Sequence, residues 1–321
     1  MDSAATPTLA TRIHAISYAC DDVLLFELRS LNGEPLPAFT PGAHVDVHIP
    51  GGLSRSYSLL NDAAERHRYL IGIKRESASR GGSAWMHDVA RPGARIEIAK
   101  PRNHFALDET ASHSVLIAGG IGITPLWSMV QRLQTLKQRW TLYYRARSRR
   151  TAPLLDELAH EAIAPHVAAS FSDEAHGQRL DITKIVAEAP AGAHFYCCGP
   201  VPMMEAFHHA CAHIDPARVH LEYFAAKEAA ATEGGYTVRL AKSGREIVVK
   251  PGQTILSSLH SAGVAVPSSC QQGVCGACEM RVLSGTPDHR DLVLSDAEKA
   301  AGATMMICCS GSLSTELVLD A

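Results

Sequence analysis

Three cysteines fall within nine residues, Cys270, Cys275 and Cys278, in the stretch CQQGVCGACEMRVLSG. A fourth, Cys308, lies far downstream. Thiolates spaced this way hold either zinc or an iron–sulfur cluster. Structural zinc sites usually bring two pairs of closely spaced ligands. Three ligands on one loop with one distant ligand is instead the plant-type [2Fe–2S] spacing. Zinc is the alternative. Gly273 and Gly276 let the loop wrap tightly, so that backbone N–H groups can point at the sulfurs. The fourth ligand is ambiguous, because the sequence reads ICCS and Cys309 adjoins Cys308. On an extended segment neighbouring side chains point to opposite sides. One of the two should therefore reach the cluster, and spacing does not choose which.

A second constellation suits a nucleotide. GGIGITP (Gly119–Pro125) follows an apolar run and precedes residues at helical spacing, Leu126, Met129, Val130, Leu133 and Leu136. Gly120 and Gly122 let a phosphate approach the backbone at a helix N-terminus. Thr124 is the expected N-cap and Pro125 the first helical residue. A tight turn is the plainer reading. Cys198, Gly199 and Pro200 (CGP) close another strand, and in open α/β sheets ligands sit at the carboxyl ends of strands. Cys197 should point away from that crevice and pack. Arg145, Arg147, Arg149 and Arg150 read either as a solvated basic loop or as contacts to the adenosine end of a dinucleotide, where a 2′-phosphate would mean NADP.

A third set lies upstream. In RSYS, Arg55, Ser56, Tyr57 and Ser58 put a guanidinium, hydroxyls and an aromatic ring on one strand, suited to a phosphate and a flat heterocycle. Arg80, Gly81, Gly82 and Ser83 (RGGS) precede a short helix and resemble an anion cradle. Each alone reads equally as ordinary surface. His14, His44, His48, His87 and His104 show no ligand spacing and read as structural.

These residues need three kinds of scaffold, and the chain has three rhythms. Residues 10–108 alternate with period two in six short runs, which suggests a small antiparallel barrel. Residues 113–224 alternate strands and helices, Leu154–Ile163 among the latter, which implies a parallel sheet covered on both faces. AAKEAAATEGG, from Ala225 to Gly235, reads as a linker. Beyond it, Tyr236–Leu240 and Glu246–Lys250 form a hairpin pattern, Thr254–Ala262 a helix, and Ser295 with Glu298 a capping box.

The 321 residues exceed one ordinary core. A formal charge of −3 shows no basic bias, so no nucleic-acid partner is expected. Ser114–Val130 is too interrupted by glycine and proline to span a bilayer, and MDSAATPTLATR lacks the marks of a signal peptide. No membrane association is expected, and the cytoplasm is the expected compartment. There the nine cysteines stay reduced. Cys20 and Cys211 read as small buried hydrophobes.

With RSYS, RGGSAWMHD, GGIGITP, YCCGP and CQQGVCGAC in this order, the chain resembles the phthalate dioxygenase reductase family, which includes the vanillate demethylase reductases. The resemblance covers about Thr11 to Ala321. It implies a multidomain α/β and all-β protein: an antiparallel flavin-binding β-barrel (1–110), a parallel-sheet α/β nucleotide-binding domain (111–225), a linker (226–235) and a C-terminal β-grasp-like plant-type ferredoxin domain (236–321). The domain order implies FMN rather than FAD. It places Arg55 and Ser58 on the flavin, Ser58 near N5, Tyr57 against the ring and Phe224 over it. Arg80 to Ser83 would cradle the FMN phosphate, Gly120 to Thr124 would face NADH, and Cys198 would lie near the reacting nicotinamide carbon. Cys270, Cys275, Cys278 and Cys308 would hold the [2Fe–2S] cluster. The implied function is the reductase of a Rieske-type oxygenase acting on an aromatic substrate. It is expected as a monomer that takes hydride from NADH and passes single electrons on. The alternative is a general electron carrier for a cytochrome or other acceptor.

Overall fold

The computed structural model describes residues 8–77, 79, 81–174, 179–224 and 226–321. These divide into two compact units, one ending at Phe224 and the other formed by the residues that follow. No helix among the described residues is long and apolar enough to cross a membrane.

The first unit holds two sheets. Six strands, β1 (Thr8–Cys20), β2 (Val23–Ser30), β3 (His44–Ile49), β4 (Leu53–Ser58), β5 (Tyr69–Lys74) and β6 (Arg95–Ala99), run in the order β4-β3-β6-β1-β2-β5. Every pairing is antiparallel. The bridge between Leu59 and Ile71 joins the two edges and closes the sheet into a barrel. Alternation supplies its interior: Val45, Val47 and Ile49 from β3 meet Phe26, Leu28, Ile71 and Ile73. Helix α1 (Gly82–Asp88) lies between β5 and β6 in sequence.

The second sheet is parallel: β7 (Ser114–Gly119), β8 (Trp140–Ala146), β9 (Val167–Phe171), β10 (His194–Cys198) and β11 (Val219–Glu222), in the order β11-β10-β7-β8-β9. The chain leaves β7 in one direction for β8 and β9, then returns to the other side of β7 for β10. The resulting switch point lies between β7 and β10, where ligand crevices form. Helices α2 (Ile123–Thr135), α3 (Leu155–Leu158), α4 (Ile182–Ala187) and α5 (Val201–Ala210) connect the strands. Leu116 and Ala118 of β7 face one apolar cluster, Val115 and Ile117 the other. That is why this strand reads as an unbroken apolar run. Leu60 and Phe105 of the barrel side enter the first of these clusters beside Leu126 and Met129 of α2. Gln131 Nε2 donates to the Leu60 carbonyl at 2.8 Å. Helix α2 thus seats the parallel sheet against the barrel.

The helix expected over Leu154–Ile163 is a correction. It is reduced to the single turn of α3, because Leu154 adopts φ 65°, outside the right-handed helix. Pro165 then lies in a separate short turn of 3-10 geometry.

The second unit is a mixed sheet. Its strands are β12 (Tyr236–Leu240), β13 (Glu246–Val249), β14 (Glu279–Ser284), β16 (Thr304–Met306) and β18 (Glu316–Leu319), in the order β13-β12-β18-β14-β16. β15 (Pro287–Asp288) and β17 (Gly311–Ser312) form a separate pair. Helix α6 (Ile255–Ser261) packs Ile255, Leu256 and Leu259 on the sheet. Helix α7 (Asp296–Ala301) starts at the expected capping box of Ser295 and Glu298. The stretch read as a linker is not loose throughout. Ala231 is buried, its N–H donates to the Cys309 carbonyl at 2.7 Å, and Glu233 pairs with Arg290.

Candidate functional site

In the first unit, three strand ends meet. Ser58 closes β4, Cys198 closes β10 and Glu222 closes β11. Parallel pairing sets Cys198 beside Glu222, and the Ser58 hydroxyl lies 3.4 Å from the Glu222 carboxylate. Glu222 is half-buried, with its carboxyl turned toward the Ser58 hydroxyl. Burial pushes that carboxyl up to about 8, opposed by the Ser58 hydroxyl. At neutral pH it therefore holds a proton. Burial and then the neighbouring Glu222 raise the Cys198 thiol well above its ordinary range, so it is neutral too. A hydroxyl, a thiol and a protonated carboxyl thus line one junction between barrel and sheet. Sequence reading missed Glu222. Its signal was an acid ending the otherwise half-apolar strand VHLE, two residues before Phe224.

The glycine motifs also meet here. A Cβ on Gly119 would stand 2.5 Å from Pro200 Cδ and 3.1 Å from Gly199 Cα, and one on Gly122 would run into the Cys198 carbonyl. These two glycines are required by loop-on-loop packing. Gly120 is different: it adopts φ 54° and nothing lies within 4 Å of its Cβ position, so it leaves the open face. Thr124 is not the N-cap. A 3-10 turn over Gly120–Gly122 runs directly into α2, which moves the cap to Gly122 and places Thr124 inside the helix. Its hydroxyl donates to the Ile121 carbonyl at 3.0 Å, and its methyl packs toward Gly72 of β5. Cys197 packs into the opposite apolar cluster, as strand alternation requires.

RSYS and RGGS converge as well. A Cβ on Gly82 would lie 2.7 Å from Arg55 Cγ, so the arginine stem crosses the start of α1. Ser79 Oγ accepts from the Gly81 and Ala84 N–H groups and is bonded to Ser83 Oγ at 3.0 Å. Arg80 lies outside the described residues. Ser56 Oγ donates to Asp46 at 2.7 Å, and Asp46 pairs with Arg102, which ties Ser56 to the barrel framework. Burial lifts the Tyr57 hydroxyl to about 12 and keeps the ring neutral. Phe224 is 38% exposed, an aromatic surface held two residues from Glu222. Of the four arginines at the end of β8 and just beyond it, Arg149 is paired with Glu174 at 2.7 Å and lies over the Phe171 ring, and Arg150 is paired with Asp21.

In the second unit all five cysteines of the two motifs are buried. Hydrogen bonds link the sulfurs of Cys270 and Cys275, and the Cys308 sulfur is linked to both Cys278 and Cys309. Among the described residues no three His, Cys, Asp or Glu side chains converge on one ion. Left-handed backbone at Gln271, Gly273 and Gly276 wraps the loop. Gln272 N–H donates to Cys270 Sγ at 3.3 Å, and Gly273 N–H donates to Cys308 Sγ. Hydrogen bonds from Cys278, Cys309 and Gly273 pull the Cys308 thiol below its ordinary range. Cys308 and Cys309 lie in a turn, not on an extended segment, so the alternation argument does not apply and both sulfurs face the loop.

A barrel, a parallel sheet with a glycine-lined crevice and a loop of paired thiols define a modular flavin- and nicotinamide-dependent iron–sulfur oxidoreductase. Residues 116–209 match the model of the oxidoreductase NAD-binding domain, and residues 238–311 that of the 2Fe-2S iron-sulfur cluster binding domain. The chain belongs to the phthalate dioxygenase reductase family. It is 66% identical over 321 residues to phenoxybenzoate dioxygenase subunit beta of Ectopseudomonas oleovorans, covering 100% of both chains. It is 47% identical to tetrachlorobenzoquinone reductase of Sphingobium chlorophenolicum, covering 98% of each. The solved structure of phthalate dioxygenase reductase superposes with a TM-score of 0.80 at 39% identity, covering 98% of each chain. The protein is an NADH-dependent oxidoreductase whose cofactors are FMN and a [2Fe–2S] cluster.

Proposed function

We propose that this chain is the reductase component of a Rieske-type oxygenase or O-demethylase system acting on aromatic compounds. The observation that carries this reading is the coexistence, in one chain, of the Ser58–Glu222–Cys198 junction and the paired thiols of Cys270, Cys275, Cys278 and Cys308. The full-length likeness to a dioxygenase subunit supports the choice of acceptor. We further assign 1–110 to the flavin barrel, 111–225 to the nicotinamide domain and 236–321 to the ferredoxin domain, working as a cytoplasmic monomer.

When bound, FMN accepts a hydride and releases electrons singly, which matches NADH to a one-electron cluster. The chain's own residues orient and shield. Arg55 with Gly81, Gly82 and Ser83 holds the phosphate end. Tyr57 and Phe224 would flank the ring. Gly120 and the start of α2 receive the dinucleotide phosphates, with Gly199 and Pro200 forming the other wall. Cys198, neutral and buried, keeps water from the reacting edge. Ser58 would present its hydroxyl at that edge, and Glu222 behind it would relay through that hydroxyl the proton that oxidation of NADH releases. In the cluster loop, backbone N–H groups neutralise thiolate charge.

Anaerobic titration of the purified protein with NADH tests the reading. Flavin and iron–sulfur absorption should both bleach, and a Rieske oxygenase should then be reduced on mixing. Bleaching of flavin alone would leave no role for the thiol loop. A second reading, direct reduction of a quinone, is favoured by the likeness to tetrachlorobenzoquinone reductase. It would show as quinone reduction undiminished by Cys308→Ser.

A further inference from the structure

Cys308 is the middle residue of the turn over residues 307–309. The carbonyl on each side of it is held by an N–H from a distant segment. Leu256 N–H of α6 donates to the Ile307 carbonyl at 3.0 Å, and Ala231 N–H donates to the Cys309 carbonyl at 2.7 Å. The first grip comes from the helix packed on the sheet. The second comes from the stretch after Phe224 that reads in sequence as a linker. That stretch is anchored at several points. Ala230 packs against the apolar core of the second unit, and Ala231 is 3% exposed. The Thr232 carbonyl accepts from Gly252 N–H at 2.7 Å, and Gly235 N–H donates to the Val249 carbonyl at 2.8 Å. The Glu233–Arg290 pair, at 3.5 Å with Glu233 mostly exposed, adds little. Backbone bonds and packing therefore hold the segment down. The Ala231 methyl fills a niche left by Gly311, three residues past Cys308. A Cβ on Gly311 would stand 2.7 Å from Ala231 Cβ, well inside the optimum of about 3.5–4.0 Å for two carbons.

We propose that residues 230–235 are a strap built into the cluster site, and that Ala231 is the positioning residue through which the strap holds the turn of Cys308 in place and dry. Cys308 and Cys309 are buried beside it. Lifting the strap frees the Cys309 carbonyl and admits water to that side of the turn. A reduced cluster carries one more negative charge than an oxidised one, so water stabilises it more, and solvent exposure is one of the levers on potential. Displacing Ala231 should therefore raise the potential and shorten the life of the cluster. The inference rests on the reading that this turn supplies the fourth ligand.

The test uses the full-length holoprotein and three variants, Gly311→Ala, Ala231→Gly and the two combined. Gly311 lies outside the left-handed region, so the Ala231 methyl is what an alanine there would meet. The next atoms, Asp288 Oδ2 and Tyr236 Oη, stand at an ordinary 3.7 Å. Each protein is assayed for iron and sulfide, for potential by spectroelectrochemistry, and for cluster half-life under an iron chelator. In Gly311→Ala the reduction equilibrium constant should rise about tenfold, or 59 mV for one electron, and the half-life should fall about tenfold. Ala231→Gly keeps the N–H and should stay within about twofold of the parent. The combined variant moves the methyl to the other side of the contact and should return both readouts to within about twofold of the parent. If Gly311→Ala alone holds no cluster, recovery of a full cluster in the combined variant supports the strap equally. Parent-like potential and half-life in Gly311→Ala would overturn the proposal, as would a combined variant no better than Gly311→Ala. Full iron in both Cys308→Ser and Cys309→Ser would instead overturn the ligand reading beneath it.

Discussion

Replacing Glu222 by glutamine removes a proton-bearing group without changing its size. Burial raises the Glu222 carboxyl from 4.5 to about 8. Below 4.5 the folded and unfolded chains both carry the proton. Between 4.5 and about 8 only the folded chain does, so stability falls as pH rises through that window. Above it the full cost of a buried carboxylate is present. At 1.36 kcal/mol per pH unit the ceiling is about 5 kcal/mol. Because part of the residue reaches solvent, screening reduces the expected effect to about 2 kcal/mol. For a unit of this size that corresponds to roughly 4–8 °C in melting temperature. Glu222→Gln should therefore melt above the parent at pH 8.5, by flavin release on heating, and the difference should shrink toward pH 5. Its NADH–ferricyanide turnover should fall about tenfold, because the amide cannot relay away from Ser58 the proton that oxidation of NADH releases. A melting difference of equal size at pH 5.5 and 8.5 would refute the argument, since the carboxyl would then carry no proton peculiar to the folded state.

Gly122→Ala forces a methyl into the Cys198 carbonyl. It should cost about 2–3 kcal/mol and weaken NADH binding at least tenfold while flavin content stays normal, as measured by stopped-flow reduction at varied NADH. Glu174→Ala frees Arg149 from its ion pair. NADH should remain preferred in the parent, and the ratio of kcat/KM for NADPH to that for NADH should rise about three- to tenfold in the variant. No change in the ratio would show that Arg149 does not reach the adenosine end. A fragment ending at Ala226 retains Phe224 and every residue of the Ser58–Cys198–Glu222 junction. It should still reduce ferricyanide with NADH but lose most reduction of cytochrome c. Equal cytochrome c rates for fragment and full chain would remove the cluster from the exit path.

The sequence alone determined whatever depends on local periodicity and spacing. The six barrel strands follow from period-two alternation, and β7 from an unbroken apolar run. The cluster type follows from three cysteines on a glycine-bearing loop, because a ligand set confined to a short loop is a local property. Contacts between distant segments were decided only by the tertiary structure. Glu222 became a buried, protonated partner of Ser58 because two sheets bring the ends of β4 and β11 together, across 164 residues of chain. Gly119 and Gly122 proved to serve packing, since their neighbours Cys198, Gly199 and Pro200 arrive from another strand end. Cys308 and Cys309 could not be told apart by strand alternation, which describes extended chain. The turn at Met306–Ser310 sets both sulfurs on one side of the cluster loop. Sequence spacing fixes which side chains are neighbours along the chain. Burial and long-range pairing fix which of them hold protons, charge or metal.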